Sequence, residues 1–202
     1  MTLLAATAFI VFSATAFAGS NSTATLKEAA ADIPKEQDGL SVQSALVEFE
    51  KVEQMTAYFE NCYGVAVFPT IAKGGLGIGG SHGAGWVFRK GDYTGMVKMT
   101  QVTVGWQAGG QAYSQIIFLE NEHAYLNFTS GNFEFGAQAS AVAITAGATA
   151  SASTGGGASA GAGSNQAKLD YTGGMAVFTV AKGGLMYEAA LGGQKFKFYP
   201  AK

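Results

Sequence analysis

The feature that most constrains this chain of 202 residues is a short sequence motif that occurs twice. The letters AVF, three residues and AKGGL span residues 66–76, and AVF, two residues and AKGGL span residues 176–185. Each copy predicts an apolar strand, a bend at Lys-Gly-Gly and a second strand, because glycine accepts the positive φ that tight turns need. Two such hairpins can pair in space and bring Lys73 and Lys182 to one rim. The alternative is that both are ordinary exposed lysines of turns.

Charge is unevenly distributed along the chain. Residues 26–60 hold eight acidic residues and three lysines, a balance of −5, whereas residues 61–202 hold nine basic and six acidic residues, a balance of +3. An acidic helical segment therefore precedes a mildly basic body. This pattern argues against nucleic-acid binding, which needs a dense stripe of lysine and arginine, because the chain holds a single arginine.

Residues 1–18 are predicted to be a signal peptide. An apolar run from Leu3 to Phe12 leads to a small-x-small cleavage site at residues 16–18. The competing interpretation is a transmembrane anchor, but the run is short for a bilayer. The only cysteine, Cys62, has no partner for an internal disulfide. We therefore expect a periplasmic or secreted protein that lies at the periphery of a membrane.

The remainder divides into an N-terminal arm, residues 19–39, and one domain, residues 40–202. Apolar residues recur at steps of three and four over residues 41–61, which predicts a helix that packs on a sheet. A short helix is also predicted at residues 25–32 and another at residues 120–129, with Ala124, Leu126 and Phe128 partly buried.

Strands bounded by glycine turns fill most of the chain after Tyr63. They are predicted at residues 65–68, 76–80, 85–89, 94–104, 111–119, 132–143, 175–180 and 185–199, with a hairpin loop at residues 90–92. Residues 151–163 are rich in glycine and serine and predict a loop. Because no βαβ rhythm is present, the predicted fold is α+β, a curved and mostly antiparallel sheet or incomplete β-barrel with a packed N-terminal helix.

The chain shows no constellation of catalytic or metal-binding residues. Residues 75–80 match the letters GxGxxG, but a turn and a strand follow where a dinucleotide site needs a helix. The two histidines, His82 and His123, stand in no metal-ligand pattern, and no paired carboxylates or nucleophile motif are found. The sequence therefore predicts a binding protein without catalysis, metal or cofactor.

Several motifs in a fixed order resemble a SYLF domain. The opening run covers residues 63–69, 72–80 and 83–85, and residues 106–114, 117–119, 133–140 and 182–185 follow in the same order. The resemblance covers roughly residues 40–199 of this sequence. Several motifs in one order are far more specific than any one of them.

The resemblance implies a lipid-binding module whose partner is phospholipid or a membrane surface. Eukaryotic members bind phosphoinositides and some bind actin filaments, whereas bacterial members are commonly exported single domains. Relatives that bind phosphoinositides use a basic amphipathic helix, but the helix at residues 41–61 is acidic here, which argues against phosphoinositide specificity. The signal peptide argues against cytoplasmic actin as a partner.

The predicted lipid-contact residues combine cations with two aromatic side chains. They are Lys73, Lys182, Arg89, Lys90, Lys195, Lys197, Trp86 and Phe196. Lys195 and Lys197 alternate with Phe196 and Phe198, so one face of that strand is basic and the other apolar. The alternatives are a small outer-membrane β-barrel or envelope structural protein, and a hydrolase with an unrecognised site.

Overall fold

The computed structural model describes residues 23–31, 33, 39–53, 55–136, 140–144, 170–182 and 189–201. The predicted signal peptide and the predicted loop at residues 151–163 lie outside these ranges. Among the described residues, no helix has both the length and the apolar character needed to span a bilayer.

The described residues form four helices and seven strands. The helices are α1 (Thr23–Ala31), α2 (Gly39–Glu50), α3 (Met55–Asn61) and α4 (Glu122–Phe128). The strands are β1 (Gly64–Arg89), β2 (Asp92–Leu119), β3 (Phe133–Glu134), β4 (Ser140–Ile144), β5 (Met175–Lys182), β6 (Ala189–Ala190) and β7 (Lys195–Pro200). This is the predicted α+β fold, with a curled half-barrel sheet and packed N-terminal helices.

Two long strands, β1 and β2, form one continuous antiparallel ribbon. They are 26 and 28 residues long and are joined at Lys90 and Gly91, whose φ angles of 51° and 92° confirm the predicted hairpin loop. The predicted hairpin turn at residues 73–75 was wrong, because Lys73 and Gly74 pair with Gln111 and Gly110 of β2. Register shifts between Phe68 and Ile71 and between Leu76 and Ile78 interrupt the pairing on either side of this point.

Glycines let β1 fold back against itself. A Cβ atom on Gly75 would lie 2.3 Å from the Cα atom of Gly79, which marks a sharp bend. Beyond the bend, a Cβ atom on Gly83 would lie 2.8 Å from a side-chain carbon of Ile71, and one on Gly85 would lie 2.6 Å from the ring of Phe68. The two arms of β1, residues 64–75 and 79–89, therefore pack closely where the second arm has no side chains.

The other edge of β2 pairs with two strands from the end of the chain. Strand β7 pairs with residues 95–100 and β5 with residues 112–119, both antiparallel, whereas β4 is parallel to β5. The two copies of the repeated motif flank β2, because Val67 of β1 and Phe178 of β5 both pair with Ile116. The copies thus meet through β2 and do not pair with each other.

Each face of the sheet has its own core. On the outer face, Leu46 and Phe49 of α2 pack with Phe118 and Phe178 of the sheet. On the inner face, an apolar cluster joins the sheet to α4, and its larger members are Phe68, Met99, Ile117, Phe128 and Phe196. The outer core also contains Leu26 of α1, so α1 and α2 share one core.

Two details of the predicted helices differ from the structure. The helix predicted at residues 41–61 is two helices, α2 and α3, with a turn at residues 51–53. Its buried stripe is as predicted, because Val42, Leu46 and Phe49 are buried. In α4, Leu126 is exposed and Tyr125 is buried in its place.

Candidate functional site

Lysines from two strands meet on the outer face of the sheet. Lys195 and Lys197 are exposed on β7, and the intervening Phe196 is buried, as the alternation predicts. Lys197 lies directly opposite Lys98 of β2, which is also exposed. We call Lys98, Lys195 and Lys197 the lysine face.

The lysine face carries more positive charge than its neighbours balance. The Nζ atoms of Lys98 and Lys197 lie 5.5 and 5.6 Å from the ring centre of Tyr199, within cation–π range. Glu134 forms an ion pair of 3.6 Å with Lys195. Like charges directly opposite each other destabilise a sheet. The contacts with Tyr199 therefore act against the repulsion between Lys98 and Lys197, which lie directly opposite each other.

Two exposed apolar side chains continue the same outer face. Val102 is 75% exposed and lies opposite Gly80, which has no side chain to cover it. Ile78 is 71% exposed and is two residues from Gly80 on β1, so both side chains point to the face of Lys98. We call Ile78 and Val102 the apolar edge.

The predicted rim of Lys73 and Lys182 is not a single cluster. Both lie at the same end of the sheet, because Lys73 pairs with Gln111 and Lys182 with Ala112. Adjacent residues of a strand point to opposite faces, so the two lysines lie on opposite faces of the sheet. Lys182 donates to the hydroxyl of Thr70, at 3.2 Å, instead.

Arg89 and Lys90 lie at the other end of the ribbon, where the hairpin turn meets α4. Arg89 stacks on Tyr125 at 5.6 Å and Lys90 on Tyr63 at 5.0 Å, measured from the cation to the ring centre. The backbone N–H of Lys90 donates to the carbonyl of Tyr63. These two cations do not join the lysine face.

The two aromatic residues of the predicted contact surface are inside the protein. Trp86 is 4% exposed in the outer core, and Phe196 is 2% exposed in the inner core. On each strand, alternate side chains point to opposite faces, and Trp86 and Phe196 point to faces that other parts of the protein cover. Neither side chain is therefore an exposed contact. Among the described residues of this region, Ile78 and Val102 are apolar side chains that are more than 70% exposed.

A row of polar side chains runs through the inner core. Ser81 donates to Gln101 at 2.9 Å, and Gln101 donates in turn to the carbonyl oxygen of Gly192 at 2.9 Å. Gln194 donates to the hydroxyl of Tyr113 at 3.4 Å and exchanges hydrogen bonds with Gln115. Burial raises the pKa of Tyr113 to about 12, although hydrogen bonds with Ser81 and Gln194 oppose the rise.

The described residues include no group of three or more histidine, cysteine or acidic side chains that could hold a metal ion. Lys98, Ile78 and Val102 are the residues that sequence reasoning missed. Alternation within residues 94–104 places Lys98 and Val102 on one face, which is a usable signal. What the sequence lacks is the pairing of β2 with β7, which brings Lys98 to Lys197.

The fold and its surface define an α+β domain, built on a curled half-barrel sheet, with a cluster of lysines on the exposed part of its outer face. Residues 100–199 match the family model described as Ysc84, Las17-binding protein actin regulator. This match confirms the predicted SYLF resemblance over residues 100–199. A comparison with curated proteins gave no match.

Proposed function

We propose that this protein is an exported, non-catalytic domain that binds anionic membrane surfaces peripherally through its lysine face. The family is consistent with a lipid-binding or an actin-related role. The observation that carries the choice is the pair of Lys98 and Lys197, directly opposite each other on an exposed strand face. An anionic surface would further compensate the repulsion between Lys98 and Lys197, which their contacts with Tyr199 oppose within the protein.

The lysine face and the apolar edge suit the interface of a bilayer in complementary ways. Near an anionic leaflet, each lysine contributes about 1 kcal/mol, and this contribution decays within a Debye length of roughly 10 Å at 0.1 M salt. The exposed side chains of Ile78 and Val102 can enter the headgroup region beside the lysines. Charge would bring the protein to the surface, and the apolar edge would hold it there.

An actin-related role, which the family description names, is the alternative. A protein partner would bury apolar side chains at the centre of its contact, surrounded by polar residues. Here the apolar edge lies at one end of the lysine row, which favours contact with a membrane.

Sedimentation with vesicles tests the proposal. The full chain is mixed with phosphatidylcholine vesicles that either contain or lack phosphatidylserine, over a salt series. We expect binding that needs the anionic lipid and weakens with salt. Replacing Lys98 and Lys197 with glutamine should weaken binding roughly thirtyfold at low salt, since two contributions of about 1 kcal/mol are lost.

The matched control removes the same charge at the other end of the ribbon. Arg89→Gln with Lys90→Gln should change binding by less than about threefold, because charge more than a Debye length away is screened. The Lys98→Gln, Lys197→Gln variant should keep the thermal midpoint of the parent, since it relieves a like-charge pair as it loses the contacts with Tyr199. Equal losses in the two double variants would contradict a specific lysine face.

A further inference from the structure

His82 lies on the outer face of the sheet, beside the lysine face. It pairs with Thr100 of β2, and residues directly opposite each other in an antiparallel pair share one face. Lys98 is two residues from Thr100 along β2, so its side chain points to that face as well. Both His82 and Thr100 are exposed. The fold therefore places a histidine next to the lysines that we assign to membrane contact.

One row of the sheet runs from His82 across three further strands. Thr100 pairs with Lys195 of β7, and Lys195 pairs with Glu134 of β3. Neighbouring strands are about 4.8 Å apart, so His82 lies roughly 10 Å from Lys195 and, on the diagonal, roughly 7 to 8 Å from Lys98. Both separations are within about one Debye length at 0.1 M salt, so a charge on His82 acts on these lysines.

The charges that face His82 are mostly positive. The lysine face supplies three of them, and Glu134 supplies a negative charge that is already paired with Lys195. On β1 itself, the neighbours two residues away on either side are a glycine and an alanine. Lys73 of the first arm lines the bend together with His82, but it is two residues from Ile71 of the inner core and points to the opposite face.

Imidazole is the side chain that changes its charge within the physiological range, since it gains a proton between about pH 8 and about pH 5. A proton on His82 adds a fourth positive charge to the outer face, at the side where the apolar edge begins. That charge is repelled by the lysines and attracted by an anionic leaflet. The proton and the anionic surface therefore favour each other, because coupling between two bound species is reciprocal.

We propose that His82 makes membrane binding through the lysine face dependent on pH, with tighter binding in mildly acidic solution. The inference rests on the proposed function and adds its regulation. The neutral and the protonated imidazole give the same surface two levels of positive charge, and no change of fold is needed to pass from one to the other.

Sedimentation of the full chain with phosphatidylglycerol vesicles tests the inference, at about pH 5.5 and at about pH 7.5, on either side of the ordinary range of imidazole. The phosphodiester of this lipid keeps its charge at both values, and the salt is held at about 0.1 M. We expect the parent to bind about fivefold more tightly in acid, which is the factor that one elementary charge contributes near an anionic leaflet.

Two variants fix the charge at this position. His82→Gln is neutral at both pH values, so its binding should differ by less than about twofold between them and should match the parent at neutral pH. His82→Lys is positive at both, so it should bind at either pH as tightly as the parent does in acid. Because His82 is exposed, neither variant should change the thermal midpoint appreciably.

His123→Gln is the matched control. His123 is exposed on α4, whose buried residues belong to the inner core, so it does not share the outer face. This variant should keep the full pH effect of the parent. Parent binding that is equal at both pH values, or a pH effect that persists in His82→Gln, would overturn the inference and leave the lysine face standing. A parent that binds these vesicles at neither pH would overturn the proposed function and the inference with it.

Discussion

Tyr113 lies inside the curled sheet, where burial raises the pKa of its hydroxyl from 10.0 to about 12. In the unfolded chain this group ionises near its ordinary value. The folded state therefore holds the proton more tightly, and its contribution to stability is complete below pH 10 and is lost as the pH rises from 10 towards 12. Tyr171 is raised in the same direction, mainly by burial.

We predict that the free energy of unfolding falls steeply between pH 10 and 12, and that Tyr113→Phe makes the fall shallower. Urea unfolding at several pH values measures this. At neutral pH the variant should lose about 1 kcal/mol, since Ser81 and Gln194 lose a partner. If parent and variant show the same slope, the hydroxyl of Tyr113 is not held in its neutral form by the fold.

Single residues of the site differ in how well the sequence reveals them. Alternation along β7 is enough to place Lys195 and Lys197 on the surface and Phe196 inside. The same pattern does not tell which element covers an apolar face, so Trp86 was wrongly expected on the surface although α2 and the sheet bury it. The residue types on a covered strand face and on an exposed strand face are similar, so only the tertiary contacts show which face is buried.

At the scale of elements, α2 is held by a narrow stripe of its own residues. Phe49 is 0% exposed and packs in the outer core, whereas Val47, two residues earlier, is 40% exposed. Glu48 lies between them, and its carboxylate accepts a hydrogen bond of 3.0 Å from the buried hydroxyl of Ser114. The helix therefore meets the sheet through an apolar contact with one polar contact beside it.

Phe49→Asp should destabilise the domain by at least about 3 kcal/mol, because it removes a buried ring and buries an unpaired charge. The same substitution at Val47 is the control and should cost less than about 1 kcal/mol. Thermal unfolding measures both. A Phe49→Asp variant with the midpoint of the parent would show that α2 is not part of the core.

The stripe of α2 could be predicted because a helix buries residues at a fixed period. The course of β1 could not, because a Lys-Gly-Gly segment has the letters of a turn whether or not a partner strand continues beside it. Here β2 pairs with Lys73 and Gly74, so the chain runs on and turns back only at residues 75–79. The long-range pairing of β1 with β2 determines the course of the chain at this point, and the local sequence does not encode that pairing.

At the scale of the whole molecule, the ribbon has two unlike ends. The bend end holds the apolar edge, and the lysine face lies between that end and the hairpin turn, on β2 and β7. The closed end holds the hairpin turn, where Gly64 approaches Phe88, and α4 with its exposed residues Glu122 and Leu126. Residues 108–119 of β2 separate the ends by roughly 35 Å of strand at about 3.3 Å per residue.

This polarity predicts the orientation of the protein on a membrane. Cys62 is the only cysteine of the chain and is buried, so Cys62→Ala provides a background without thiols. An environment-sensitive dye attached through Val102→Cys should shift its emission to the blue on anionic vesicles, because the apolar edge enters the interface. The same dye attached through Leu126→Cys should keep the emission that it has in water, since α4 lies at the closed end.

Both sites are exposed, which matches them as positions for a label. A blue shift at Leu126→Cys without one at Val102→Cys would place the closed end on the membrane and would contradict docking through the lysine face.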